Sequence, residues 1–218
     1  MAWLCDIVSE FRKFRGMGWM LTCLFLAFPL KAETILILGD SLSASYGMEE
    51  NQGWINLMRP KLQGHTLVNG AVSGETSAGG LRRLPGLLES AKPSVVFVML
   101  GGNDGLRGFS PVELKKNLTK IIDLAQSSGA NVLLSEVMVP TNYGPRYAKA
   151  FAQVYAELGQ RDGVTLMPFF MTQIVTRPEL MQRDGIHPNQ AAQGEIAEIM
   201  LPWFAAMVSS PATAANPG

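Results

Sequence analysis

The chain has 218 residues, of which 47% are hydrophobic and 17% charged, so it can bury one core but is short for two domains. Lysine plus arginine and aspartate plus glutamate each total 18, and this balance argues against a nucleic-acid-binding protein. A single domain with no nucleic-acid partner is therefore predicted.

The first 32 residues are typical of a signal peptide. Arg12, Lys13 and Arg15 precede an uncharged run over residues 16–30, and Ala32 supplies a small residue at the exit. The run is shorter than the ~20 apolar residues of a membrane span, so cleavage near Ala32 is favoured, with an uncleaved amino-terminal anchor as the alternative. We therefore predict a periplasmic or secreted protein that keeps no membrane span after cleavage.

Both cysteines, Cys5 and Cys23, lie in this leader. The mature chain would then hold no disulfide, no thiolate nucleophile and no cysteine metal site. We expect no metal and no cofactor. Residues 209–218 are small, polar and proline-bearing, and are predicted to form a disordered tail. The folded domain is thus placed at residues 33–208.

Short β-branched runs alternate with helical patterns through this domain. The predicted strands span residues 34–38, 65–69, 94–100, 131–137 and 164–167. The predicted helices span residues 54–62, 78–90, 111–128, 146–161 and 189–207. Repeated strand–helix–strand units form a parallel sheet covered on both faces, so the prediction is a three-layer α/β/α fold with a mainly parallel five-stranded sheet.

Three of the predicted strands end on segments rich in glycine and polar side chains. Gly39-Asp40-Ser41 follows the first strand, residues 69–74 follow the second, and residues 101–104 follow the third. Because parallel strands place ligands beyond their carboxyl ends, these segments are expected to converge at one edge of the sheet. Gly39 permits a sharp turn there that would expose Ser41, the candidate nucleophile.

A reactive serine needs a base, and the chain has only two histidines. His65 opens a predicted strand, and we assign it a structural or surface role. His187 stands three residues after Asp184, a spacing that lets one turn hold an imidazole beside the carboxylate that fixes its tautomer. The alternative is that residues 184–188 only make a turn into the last helix.

Attack by Ser41 would create an oxyanion, which needs hydrogen-bond donors aimed at one point. Candidate donors are the backbone N–H groups of Ser41 and Gly74 and the side-chain amide of Asn103. Each also has an ordinary explanation, either a glycine in a turn or an asparagine that caps a helix.

Taken together, these segments resemble the SGNH, or GDSL, hydrolase family. The four matching blocks occur in the family's order and at compatible spacing, at residues 39–43, 69–76, 101–104 and 184–188. The resemblance implies the family's flavodoxin-like fold, with Ser41 as nucleophile, His187 as general base and Asp184 as its orienting acid. It also implies an oxyanion hole formed by Ser41, Gly74 and Asn103.

The resemblance extends to residues 101–109 and 140–144, which look like those of the family's bacterial periplasmic esterases. In this family the loop after the asparagine block moves on substrate binding, so residues 105–109 are interpreted as a mobile lip of an acyl site. The side chains expected to contact substrate are those of Gly105, Leu106, Phe109, Val139 and Asn142.

The sequence therefore predicts a serine esterase that hydrolyses small acyl esters and thioesters through an acyl-enzyme intermediate, as a monomer. One alternative is a carbohydrate or cell-wall O-deacetylase of the same family, and another is an exported ligand-binding protein without enzymatic activity. An apolar groove would favour the fatty-acyl enzyme, whereas a polar cleft would favour the deacetylase.

Overall fold

Five short apolar strands form the centre of the fold. The computed structural model describes residues 32–139 and 143–209, and its strands are β1 (Thr34–Gly39), β2 (Thr66–Asn69), β3 (Val95–Met99), β4 (Asn131–Ser135) and β5 (Val164–Met167). All paired strands are parallel, in the order β2-β1-β3-β4-β5. Every residue of β3 is buried, as expected for an inner strand of a sheet with both faces covered.

Helices connect the strands and form the outer layers. They are α1 (Trp54–Met58), α2 (Ser77–Ala91), α3 (Gly102–Leu106), α4 (Pro111–Ser127), α5 (Pro145–Leu158) and α6 (Gln193–Ser209). Short 3-10 turns occur at Glu50–Gln52, Arg59–Lys61, Phe170–Gln173, Pro178–Leu180 and Gln190–Ala192. At the start of α4 the Ser110 side chain accepts the N–H of Val112 and Pro111 takes the first helical position, which fixes where this helix begins.

Trp54 links two helices to the sheet and to the segment after β1. Its ring meets those of Phe97 in β3 and Phe204 in α6 edge-on, at centroid distances of 6.2 and 5.9 Å. Its indole N–H donates to the carbonyl of Leu42, and its backbone N–H donates to Oε1 of Gln193, each at 3.0 Å. The turn that carries Ser41 is therefore anchored directly to the hydrophobic core.

The five-stranded parallel sheet and the three-layer fold are confirmed. The strand order reverses between β1 and β3, which lie side by side although β2 separates them along the chain, and α/β proteins place their ligand sites at such a switch point. Helix α3 was not predicted, and the helix expected over residues 54–62 is shorter because it passes into a 3-10 turn at Arg59.

Three of the predictions fall wholly or largely outside the described residues. They concern the signal peptide over residues 1–32, the tail over residues 209–218 and the substrate contact of Asn142. Ser209, where the tail was expected to begin, is the last residue of α6. Within the described ranges no helix is both long enough and apolar enough to cross a bilayer.

Candidate active site

The candidate nucleophile lies in a tight turn directly after β1. The backbone N–H groups of Ser43 and Ala44 both donate to the carbonyl of Asp40, at 3.1 and 3.0 Å, which folds the chain back on itself. A Cβ on Gly39 would lie 3.0 Å from Oγ of Ser43, so a larger residue would crowd the turn. The Ser41 side chain thus faces a cleft at the carboxyl edge of the sheet.

Ser41, His187 and Asp184 form a continuous hydrogen-bonded chain. Oγ of Ser41 lies 2.8 Å from Nε2 of His187, and Nδ1 of His187 lies 2.7 Å from Oδ2 of Asp184. Oδ1 of Asp184 accepts the backbone N–H groups of Ile186 and His187, at 2.9 and 3.0 Å. These bonds, that from the His187 backbone first, lower the pKa of Asp184 from 3.8 to about 2.

An ionised Asp184 accepts the Nδ1–H of His187 and so leaves Nε2 unprotonated toward Ser41. This is the tautomer that a general base needs in order to take the serine proton. Asp184 and His187, the predicted acid and base, lie in one turn.

A short antiparallel bridge holds this turn in place. Met181 pairs with Pro188, and the N–H of Gln182 donates to the carbonyl of His187 at 2.8 Å. The Gln182 side chain also donates to the carbonyl of Tyr46, at 2.8 Å. The Tyr46 ring stacks on the His187 imidazole with centroids 4.2 Å apart and an interplanar angle of 30°.

The three candidate oxyanion donors line the same cleft as His187. Gly74 has φ +78°, in the left-handed region that favours glycine. Asn103 lies in α3, immediately after β3, and its Nδ2 donates to the carbonyl of Glu75 at 3.0 Å. The parallel sheet therefore brings the ends of β1, β2 and β3 together, as the sequence blocks predicted.

Asp40 is a buried acid beside Ser41, and sequence reasoning gave it no role. Its Oδ1 accepts the N–H of Leu42 at 3.1 Å, and its Oδ2 lies 3.4 Å from Nδ2 of Asn103. Burial raises the pKa of Asp40 from 3.8 to about 6. An acid that directly follows an apolar strand and precedes the candidate nucleophile is the sequence signal that could have identified it.

The cleft has a volume of about 430 Å³, and most of its wall is apolar. The apolar side chains that line it are those of Leu42, Tyr46, Met99, Leu106, Val137, Met138, Phe169, Met171, Val175 and Ile186. The polar side chains that line it are those of Asp40, Ser41, Ser73, Asn103, Thr172 and His187. The cleft thus combines a few polar groups, Ser41 and His187 among them, with a mostly apolar wall.

Of the predicted substrate contacts, Leu106 lines the cleft, whereas Gly105, Phe109 and Val139 are not among the residues that line it. Gly105 is buried against Val139, whose Cγ1 is 2.1 Å from the position of a Cβ at residue 105. The Phe109 side chain is exposed, and the Phe109 carbonyl accepts the Tyr147 hydroxyl at 2.7 Å.

His65, the other histidine, is not among the residues that line the cleft. Nδ1 of His65 accepts the N–H of Glu33, at 3.3 Å, next to the start of β1. Across the described ranges, no three histidine, cysteine, aspartate or glutamate side chains converge on a point that could hold a metal ion.

Comparison with known proteins gives concordant matches. Residues 37–194 match the model of the GDSL-like lipase/acylhydrolase family. The chain is 46% identical over 187 residues to thioesterase 1/protease 1/lysophospholipase L1 of Escherichia coli K12. This alignment covers 84% of this chain and 90% of that protein. It is 45% identical over 189 residues to an arylesterase of Vibrio mimicus, in an alignment that covers 83% of this chain and 94% of that protein.

A solved structure agrees with these matches. The psychrotrophic esterase EstA of Pseudoalteromonas, in a form inhibited by monoethylphosphonate, superposes with a TM-score of 0.79 at 41% identity. The alignment covers 82% of this chain and 100% of that chain.

Proposed function

Because the chain belongs to the GDSL-like lipase/acylhydrolase family and is a serine esterase, we propose that Ser41, His187 and Asp184 are its catalytic triad. The family and enzyme class predicted from the four sequence blocks are confirmed by these matches. The observation that carries the proposal for the triad is the unbroken chain from Ser41 Oγ through His187 to Asp184, at 2.8 and 2.7 Å.

In the first half of the reaction, Ser41 Oγ attacks the acyl carbonyl carbon while Nε2 of His187 takes the serine proton. Asp184 stabilises the imidazolium that forms, because its low pKa keeps it ionised. The stacked ring of Tyr46 presents its negative face to the same cation. His187 then returns the proton to the leaving alcohol or thiol, and the acyl group remains on Ser41.

In the second half, a water molecule gives a proton to Nε2 of His187 and attacks the carbonyl carbon of the acyl-enzyme. The bond from this carbon to Ser41 Oγ then breaks, His187 returns the proton to Oγ, and the carboxylic acid is released. Both tetrahedral intermediates carry an oxyanion, for which we propose the N–H groups of Ser41 and Gly74 and the amide of Asn103 as donors. Removing one donor of this kind typically lowers kcat on the order of 100- to 1000-fold.

The shape and polarity of the cleft support an acyl substrate with an apolar chain. The wall of the cleft consists mainly of aliphatic, methionine and aromatic side chains, which can bury methylene groups but offer few partners to sugar hydroxyls. This favours the fatty-acyl esterase over the carbohydrate O-deacetylase. Thioesters suit the same machinery, since the acyl carbon and the oxyanion are common to both.

The proposed triad is tested by Ser41→Ala and His187→Ala. Each removes a group that acts in both half-reactions, so kcat for p-nitrophenyl butyrate is expected to fall roughly 10⁴-fold or more. The melting temperature should change little, because neither side chain belongs to the buried core. Turnover within tenfold of the wild-type rate in either variant would remove that residue from the mechanism.

Two controls make this result specific. His65→Ala removes the other histidine of the chain and is expected to leave kcat within twofold, since His65 lies beside β1 and not in the cleft. A monoethylphosphonate ester should add one phosphonyl group per chain to the wild type, by mass spectrometry, and none to Ser41→Ala. Labelling of the Ser41→Ala chain would place the nucleophile elsewhere.

A further inference from the structure

The proposed mechanism leaves Asp40 unused, although it is the titratable group beside the nucleophile in the chain. The residue is 4% exposed, and its two carboxylate oxygens have different neighbours. Oδ1 accepts the N–H of Leu42 at 3.1 Å, within the turn that carries Ser41. Oδ2 points across the sheet edge to Nδ2 of Asn103, at 3.4 Å. Two segments of the site that are distant in sequence thus meet at this carboxylate.

The side chain of Asn103 has two ends of almost the same shape, and only the nitrogen end can donate. Nδ2 carries two hydrogens. One is donated to the carbonyl of Glu75 at 3.0 Å, and the nitrogen also faces Oδ2 of Asp40. Both neighbours are acceptors, so both would repel the oxygen end of the amide. Their placement decides which end of Asn103 is available to an oxyanion.

We propose that Asp40 is a positioning residue, which holds the side-chain amide of Asn103 with its nitrogen toward the oxyanion of the reacting ester. The inference rests on the oxyanion-hole role proposed for Asn103 above. At 3.4 Å the contact orients the nitrogen but only weakly engages its second hydrogen. Nδ2 can therefore donate that hydrogen to an oxyanion at roughly 2.7–3.1 Å from the nitrogen in the transition state.

The charge of Asp40 is compatible with this role. Its pKa of about 6 makes it a carboxylate, and hence purely an acceptor, at pH 8. Of the charged groups around it, His187 favours the ionised form and Asp104 opposes it. Because the imidazolium of His187 forms in the same step as the oxyanion, the carboxylate has a cation nearby when negative charge develops.

The variant Asp40→Asn tests the contact with almost no change in shape. The N–H of Leu42 requires an acceptor at the Oδ1 position, so the new amide would place its nitrogen at the Oδ2 position. A donor then faces a donor across 3.4 Å, and turning the Asn103 oxygen toward residue 40 would set that oxygen against the Glu75 carbonyl. In either arrangement the amide no longer holds its nitrogen firmly where the oxyanion needs a donor.

We expect Asp40→Asn to lower kcat at pH 8 tenfold or more on p-nitrophenyl butyrate, with KM within twofold. We expect Asn103→Ala to lower kcat on the order of 100- to 1000-fold. The double variant should be within about twofold of Asn103→Ala, because Asp40 acts through that side chain. Full kcat in Asp40→Asn, or losses that multiply in the double variant, would overturn the proposal.

Controls separate this role from a structural one and from failure of the esterase assignment. Ser43→Ala alters a buried residue of the same turn, whose Oγ has no hydrogen-bond partner among the described residues, and should leave kcat within twofold. Active sites are counted by phosphonate titration, so an unfolded fraction cannot imitate a low kcat. An Asp40→Asn chain that does not fold would count against the proposal, since losing a buried charge should not prevent folding.

The two proposals fail in different ways. Turnover by Ser41→Ala would refute the triad whatever Asp40 does. An inactive Ser41→Ala chain together with full kcat in Asp40→Asn would refute only the role of Asp40.

Discussion

Asp184 and Asp40 have pKa values that move in opposite directions, and the reason lies in their surroundings. Asp184 stands at the surface and accepts two backbone N–H groups and the His187 ring, so its pKa falls to about 2. Asp40 is buried and is offered fewer donors, so its pKa rises to about 6. Both carboxyl groups are therefore ionised at pH 8, but only Asp184 remains ionised in mild acid.

The titration of Asp40 predicts a pH-dependent stability. Its pKa is higher in the folded chain than the 3.8 of the unfolded chain, so the folded state binds more protons between about pH 4 and pH 6. The stability that the folded chain gains by protonating Asp40 is therefore complete only below about pH 4 and is lost as the pH rises through 6. The free energy of unfolding of the wild type minus that of Asp40→Asn should fall by roughly 2 kcal/mol from pH 4 to pH 7.

Urea unfolding of both proteins at the two pH values measures this difference. Because Asp184 and the other carboxylates are present in both chains, their titration cancels in the subtraction. A difference that does not change with pH would mean that Asp40 ionises as an ordinary exposed acid.

At the scale of elements, the site depends on the turns that follow neighbouring strands. Gly39 and Met99 are paired in register at the ends of β1 and β3. Ser41 follows Gly39 by two residues and Asn103 follows Met99 by four, so the two side chains start from neighbouring positions at the sheet edge. Between β3 and α3, Gly101 has φ +117°. The hydroxyl of Tyr155, which donates to the carbonyl of Leu100 at 2.8 Å, closes the space above it.

Gly101→Ala is expected to disturb both stability and catalysis. A Cβ there would lie 2.1 Å from the Tyr155 hydroxyl oxygen in addition to the strain of a positive φ, so we expect a loss of roughly 2–5 kcal/mol and a lower kcat as Asn103 moves. Gly129→Ala is the matched control, because Gly129 has φ +87° but no atom within 4 Å of the added Cβ. It should cost about 1–2 kcal/mol and leave kcat unchanged. Equal effects of the two variants on kcat would contradict this account.

The sequence predicted each strand to within two residues at either end, because continuous apolar runs between turn residues are a local signal. It did not predict α3, whose first four residues Gly-Asn-Asp-Gly are poor helix formers. The carboxylate of Asp104 fixes this helix by accepting the N–H and hydroxyl of Ser77, at 2.8 and 2.5 Å. Such a contact joins segments that are distant in sequence.

The contacts of the candidate site likewise include some that the sequence predicts and some that it does not. The pairing of Asp184 with His187 could be predicted from a spacing of three residues. The contact of Asp40 with Asn103 depends on β1 and β3 being neighbours, and the stacking of Tyr46 on His187 depends on how one loop docks on another. Neither contact has a sequence pattern of its own.

At the scale of the molecule, the cleft sets the substrate range. If an acyl chain lies along the apolar wall, each methylene that it buries is worth about 0.8 kcal/mol, or roughly fourfold in kcat/KM. We expect kcat/KM for p-nitrophenyl esters to rise with acyl length at up to this rate, until the chain leaves the cleft. A maximum at acetate, with falling rates thereafter, would favour the O-deacetylase instead.

The bridge between Met181 and Pro188 has a consequence for how the enzyme loses activity. Asp184 and His187 belong to one turn, which contacts the loop after β1 through the Ser41 hydrogen bond, the Tyr46 ring and the Gln182 side chain. Local opening of this turn would separate His187 from Ser41 while the sheet stays folded. On heating, inactivation should therefore precede the global unfolding transition, and cooling should restore the activity.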